Sequence, residues 1–148
     1  LDLDKQGMGT TCVIALKTGN VLHVVNVGDS RAYLIADEIS QITKDHTIVM
    51  KMYENGEISK EELKIHPCRN LITKAVGVAE QVIPDYFEIE LAEDSAVVLC
   101  SDGLSNYCEE SDIYRTVRGM EPQDVCSELV RIALENGGND NISVALIA

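Results

Sequence analysis

The runs "TTCVIAL" and "VLHVVNVG" are short, rich in β-branched residues and joined by Lys17-Thr18-Gly19-Asn20, which makes them the two strands of a hairpin. "RAYLIAD" and "EISQIT" repeat the arrangement across the Asp37-Glu38 corner. Together the four runs predict an antiparallel meander of buried strands. Their sides are too apolar to face water, so the sheet needs a cover on both faces.

From Asp45 the period changes. Ile48, Val49, Met52 and Tyr53 share one helical face that Gly56 ends, and Ser59 with Glu62 forms a capping box for a second short helix, "KEELKI", stopped by Pro67. Residues 45–70 are therefore a helical excursion from the sheet. "NLITKAVG" is read as a return to the core, "DYFEIEL" as a half-buried strand, and "AVVLCSDG" as a nearly continuous buried strand ending at Ser101-Asp102-Gly103. A short helix follows over Ser111 to Arg118. Pro122 opens the last helix, whose Val125, Cys126, Leu129, Val130 and Ala133 make a buried stripe that Gly137-Gly138 closes. A final core strand follows directly on Asp140-Asn141. Strands and helices are segregated, with no internal repeat, which defines a single domain of the α+β class.

A chain of 148 residues, 45% hydrophobic and 25% charged, can build one real core. No apolar run reaches bilayer length and the first residues lack the pattern of a secretory signal, so the expectation is a cytoplasmic protein without membrane insertion. A net charge of -13 repels nucleic acid and anionic surfaces. A phosphorylated substrate would then need local cations to reverse that field, and bound divalent metals would serve. The five Cys are odd in number and lack a CxxC spacing, which disfavours zinc and a disulfide framework; Cys12, Cys100 and Cys126 read as small buried hydrophobes.

Three aspartates stand at the ends of apolar runs: Asp29 in "VGDSR", Asp102 in "CSDGL" and Asp140 in "GNDNI". Strand ends are rigid, so carboxylates there can converge on a hard cation such as Mg2+ or Mn2+. Each also has a plainer reading. Asp102-Gly103 suits a tight turn, Asp140 an Asx turn, and Asp29 a partner for Arg31. The three His form no ligand pair, "QGMGTT" lacks the residues of a phosphate loop, and "LDLDKQG" lacks the closing Glu of a calcium loop.

Taken in order, "GMGTT", "NVGDSRAYL", "ITKDHT", "NGEIS", "NLITKAVG", "VLCSDGLSN" and "GGNDNISVALI" resemble the C-terminal portion of the catalytic domain of a bacterial metal-dependent Ser/Thr protein phosphatase of type 2C. The likeness runs from about Gly7 to Ile147. It implies an antiparallel β-sandwich flanked by helices, the α-β-β-α arrangement, N-terminally incomplete here. It further implies two Mg2+ or Mn2+ ions per complete site, a metal-activated water that hydrolyses phosphoserine and phosphothreonine, and no catalytic side chain beyond the ligands.

On this resemblance Asp102 and Asp140 are metal ligands, and Asn141 supports their loop. The phosphate-gripping Arg and the metal-bridging "DG" aspartate are expected upstream of this chain, so the 148 residues alone are expected to be inactive. The "GDSR" motif is architectural, Asp29 is not a ligand, residues 45–70 correspond to a flap-like segment beside the site, and Asp4 is a candidate for an additional metal. Expected partners are phosphorylated Ser/Thr proteins, targets of a bacterial Ser/Thr kinase. The competing reading is a noncatalytic phosphatase-like regulatory or cation-binding module.

Overall fold

The structure, a computed structural model, describes residues 7–148. Asp4, and with it the additional metal ligand expected there, lies outside them. Both predicted hairpins form. In the first, β1 (Cys12–Thr18) pairs with β2 (Val21–Val27), and Thr18 opposite Val21 leaves a two-residue loop in which Gly19 takes a φ of +62°. In the second, β3 (Arg31–Ile35) pairs with β4 (Ile39–Gln41).

The expected single meander is not what they make. β1 and β2 join β5 (Asp85–Glu90) in a three-stranded sheet ordered β1-β2-β5. β3 and β4 join β6 (Ala96–Cys100) and β7 (Val144–Ile147) in a four-stranded sheet ordered β4-β3-β6-β7. All the ladders are antiparallel. The break falls at Gly28, whose φ is +108° and where an added Cβ would sit 2.3 Å from Thr11 Cγ2. Only glycine lets the chain leave one sheet for the other at so close an approach.

The two sheets pack face to face. Leu22 and Val24 from one sheet meet Ala32 and Val97 from the other, all fully buried, with Phe87, Leu34 and Leu99 around them. On its other face the four-stranded sheet presents Tyr33, Ile35, Val98 and Cys100 to three helices: α3 (Asp102–Ser105), α4 (Glu110–Gly119) and α5 (Pro122–Glu135). The stripe predicted for the last helix is the one that packs. Val125, Leu129 and Ala133 are fully buried, and the Val and Leu side chains each contribute about 1.5–3 kcal/mol on burial.

Four expectations about burial need correction. β1 is an edge strand, and its Ile14 and Leu16 are 55% and 61% exposed, because no described element covers the outer face of the three-stranded sheet. Residues 70–77 do not return to the core; they run along the surface, tied by the isolated bridges Thr47–Ile72 and Thr10–Val76, with Leu71, Ile72 and Val76 exposed. β7 starts three residues after Asn141 and lies at a sheet edge, half-buried. Cys12 and Cys126 are half-buried, whereas Cys100 and Cys108 are buried.

The helical excursion is present as α1 (Ile48–Glu54) and α2 (Lys60–Ile65). The Ser59 hydroxyl accepts from Glu62 N–H, and the Glu62 carboxylate accepts from Ser59 N–H, so the predicted capping box closes α2. Among the described residues no helix is long and apolar enough to cross a membrane.

Candidate metal centre

Asp102 opens α3 immediately after β6, and its position is set by a clamp between two loops. Ser101 N–H donates to Ser143 O at 3.0 Å, the Ser101 hydroxyl donates to Asn141 O at 3.2 Å, and the same hydroxyl accepts from Ser143 N–H at 3.0 Å. Gly103 completes the approach. A Cβ there would stand 2.2 Å from Asn141 O and 2.9 Å from Asn141 C, both backbone atoms that cannot swing aside. The "SDG" and "DN" motifs, some forty residues apart in the chain, are thus pressed together backbone to backbone.

This clamp brings Asp102 and Asp140 into one field. Burial raises the Asp102 pKa, and the neighbouring Asp140 charge raises it further. Asp140 itself is exposed, and its Oδ1 accepts Asn141 N–H at 2.7 Å. Asn141 supports the loop through its main-chain carbonyl. Asp29 is half-buried, and its pKa is raised by burial and then by Asp102.

Among the described residues no group of three or more His, Cys, Asp or Glu gathers into a metal-binding cluster. The Asp102 and Asp140 pair alone is a donor set of the kind Mg2+ or Mn2+ accepts, one or two carboxylates with water in the remaining positions. The mutual repulsion of the pair is what a cation would relieve.

The clamp carries a prediction. Gly103→Ala must push the two loops apart and is expected to cost about 1–3 kcal/mol of stability, the usual range for overpacking. Thermal unfolding of the variant measures it; an unchanged Tm would mean that the loops have slack at this point.

Behind the acidic pair lies a network that sequence reading missed. Arg31 does not pair with Asp29. Its Nε donates to both Asp45 oxygens at 3.0 and 3.1 Å, its Nη2 donates to Asp45 Oδ2 at 2.6 Å, and its Nη1 donates to the Tyr33 hydroxyl at 3.0 Å. Gln41 Nε2 adds a bond to Asp45 Oδ1 at 2.9 Å. Burial opposes the Arg31 charge, but the Asp45 carboxylate more than offsets it, and the pKa is raised.

Next to it, Gly28 N–H donates to buried His46 Nδ1 at 3.0 Å, which fixes the proton on Nε2, 3.1 Å from Asp85 Oδ2. The "GDSR" turn is therefore held by "KDH" at two successive residues. The signal available in the sequence is the polar triplet Lys44-Asp45-His46 inside "ITKDHT", which carries no periodic mark of its partners.

These features define a class of protein: two packed antiparallel sheets with helices outside one of them, and two aspartates, one opening a helix at the end of a strand and one on the loop clamped against it. The family model Protein phosphatase 2C matches residues 2–64. The serine/threonine phosphatase stp of Listeria innocua is 35% identical over 148 residues, 99% of this chain and 59% of its own length. The serine/threonine protein phosphatase PstP of Mycobacterium tuberculosis is 38% identical over 147 residues, again 99% of this chain.

The crystal structure of the Mycobacterium tuberculosis phosphatase PstP/Ppp superposes with a TM-score of 0.93 at 38% identity, covering 98% of this chain and 62% of that one. A PstP catalytic domain in complex with two manganese ions superposes with a TM-score of 0.87. The chain is similar to the protein phosphatase 2C family over residues 2–64 and to these serine/threonine phosphatases over nearly its whole length. It spans 59% of the length of the Listeria relative.

Proposed function

We propose that this chain forms part of the catalytic domain of a serine/threonine protein phosphatase, with Asp102 and Asp140 as ligands of a Mg2+ or Mn2+ ion. The observation that carries the reading is the clamp through Ser101 and Gly103, which holds the segments bearing these two aspartates against each other. The relatives named above are serine/threonine phosphatases, which supports the same substrate chemistry here.

Within this reading each residue has a physical task. Asp102, half-buried and fixed at the end of a core strand, places a carboxylate oxygen with little freedom to move. Asp140 stands in the segment clamped against it, so its charge adds to that of Asp102. Arg31 and Asp45 neutralise each other and hold the floor of the site rigid, leaving Arg31 unsuited to gripping a phosphate. When bound, divalent cations supply a water acidic enough to act as nucleophile and neutralise charge on the phosphoryl oxygens.

Residues 45–70 act as a flap-like segment of the same domain. Substrates are phosphoserine and phosphothreonine proteins, targets of a bacterial Ser/Thr kinase, in the cytoplasm.

The test is Mn2+-dependent hydrolysis of a phosphothreonine peptide by the complete protein. Steady turnover is expected, and its absence over a range of Mn2+ and Mg2+ would leave the noncatalytic reading in its place. The 148 residues alone are expected to show no turnover, because among the described residues no third carboxylate joins Asp102 and Asp140 to build the two-metal site that this chemistry uses. Hydrolysis by the isolated chain at the rate of the complete protein would overturn the two-metal argument.

A further inference from the structure

A cleft of about 820 Å³ runs from Asp29 and Asp102 to the helical excursion, between α1 and α2 on one side and α3 with the start of α4 on the other. Its two ends differ in charge. The end nearest the candidate metal centre carries Asp29 and Asp102. The flap-side wall carries Lys60, Lys64 and Arg69, three of only 12 Lys and Arg residues in a chain of net charge -13, and the cleft is also lined by Glu109 and Glu110 at the start of α4. Between them, Val49, Met50 and Leu63 give an apolar lining.

These three cations line the same cleft. Among the described residues, Lys60 and Arg69 have no ion-pair partner, while Lys64 bridges the cleft to Glu109 at 2.5 Å. Both members of that bridge are more than two-thirds exposed, at 69% and 67%, so the pair is weak and easily exchanged for another carboxylate.

Resting on the phosphatase reading above, we propose that this cleft binds the peptide flanking the phosphorylated residue, and that Lys60 and Lys64 select substrates with acidic residues there. The phosphorylated residue sits at the Asp102 end and its acidic neighbours lie along the flap-side wall. A substrate carboxylate takes the place of Glu109 on Lys64. No net charge of the protein is needed for this, because the field that matters is that of the cleft wall within a Debye length, about 10 Å at 0.1 M salt.

The experiment uses the complete protein and two fluorescein-labelled phosphothreonine peptides, one flanked by glutamates and the other by lysines. Anisotropy in EDTA reads binding without hydrolysis. The acid-flanked peptide is expected to bind at least about fivefold more tightly, the size of one or two exposed charge contacts, and the ratio should shrink in 0.5 M salt. Lys60→Glu with Lys64→Glu should abolish or invert the preference, Lys51→Glu on the far side of α1 should leave it, and Glu109→Gln should tighten the acid-flanked peptide about two- to threefold.

Equal binding of the two peptides by the wild type overturns the proposal, as does an unchanged ratio in the double variant shown by circular dichroism to be folded. Hydrolysis of p-nitrophenyl phosphate with Mn2+ is measured in parallel. Its failure would remove the phosphatase reading while the binding ratio still decides the role of the cleft.

Discussion

Asp45→Ala is expected to lower the unfolding free energy by about 3–5 kcal/mol, the cost of stranding one member of a buried ion pair. The Asp45 side chain is only 8% exposed and Arg31 25%. Removing the carboxylate leaves a guanidinium with three donor contacts gone, beside a Gln41 amide that loses one of its two acceptors and keeps Thr43 O. Such a loss is a large share of the roughly 5–15 kcal/mol that a domain of this size has. Urea unfolding followed by circular dichroism measures it.

A second variant separates the stranded charge from the lost shape. Arg31→Met with Asp45→Leu removes both charges and keeps apolar volume, and is expected to recover most of the stability. If the single and double variants unfold at the same urea concentration, packing rather than the uncompensated charge accounts for the effect. If Asp45→Ala costs less than about 1 kcal/mol, the pair is open to water and does not hold the floor of the site.

The strands and helices were legible because their periods are unambiguous. "AVVLC" can only be a strand buried on both faces, and the stripe through Val125, Leu129 and Ala133 can only be one face of a helix. How the strands divide between sheets was not legible from the runs themselves. That division depends on Gly28, where the approach of Thr11 demands a residue without Cβ, and a glycine before an aspartate looks locally like any turn.

Exposure of β1 was illegible for a different reason. A side chain's apolarity says that it needs cover, and says nothing about which residues supply it. At the site, the two carboxylates stood out as acids at strand ends, but their proximity is a matter of backbone packing between Gly103 and Asn141. The Arg31–Asp45 pair, fourteen residues apart, had no periodic signature at all.

Asp102→Asn and Asp140→Asn are each expected to reduce Mn2+-dependent hydrolysis by the complete protein at least about 100-fold, since a neutral amide neither balances the cation nor holds it as a carboxylate does. The same variants should move stability the other way. The folded-state pKa of Asp102 lies above its ordinary value of 3.8, first through burial and then through Asp140. The folded protein therefore holds that proton more tightly than the unfolded chain. The resulting penalty is absent below the ordinary value, grows as pH rises toward the raised one, and is fully present above it.

At neutral pH without metal, Asp102→Asn removes this penalty and is expected to raise Tm by about 1–3 °C, a fraction of a kcal/mol after screening at this half-exposed site. At pH 3.5, with the wild-type carboxyl largely protonated in the folded state, the advantage should shrink. Millimolar Mn2+ should reverse the order, stabilising the wild type by mass action, about 1.4 kcal/mol at ten times Kd, and leaving the Asp102→Asn, Asp140→Asn double variant unmoved. Identical thermal shifts in wild type and double variant would show that the cation binds elsewhere and that the two aspartates serve only the turns in which they lie.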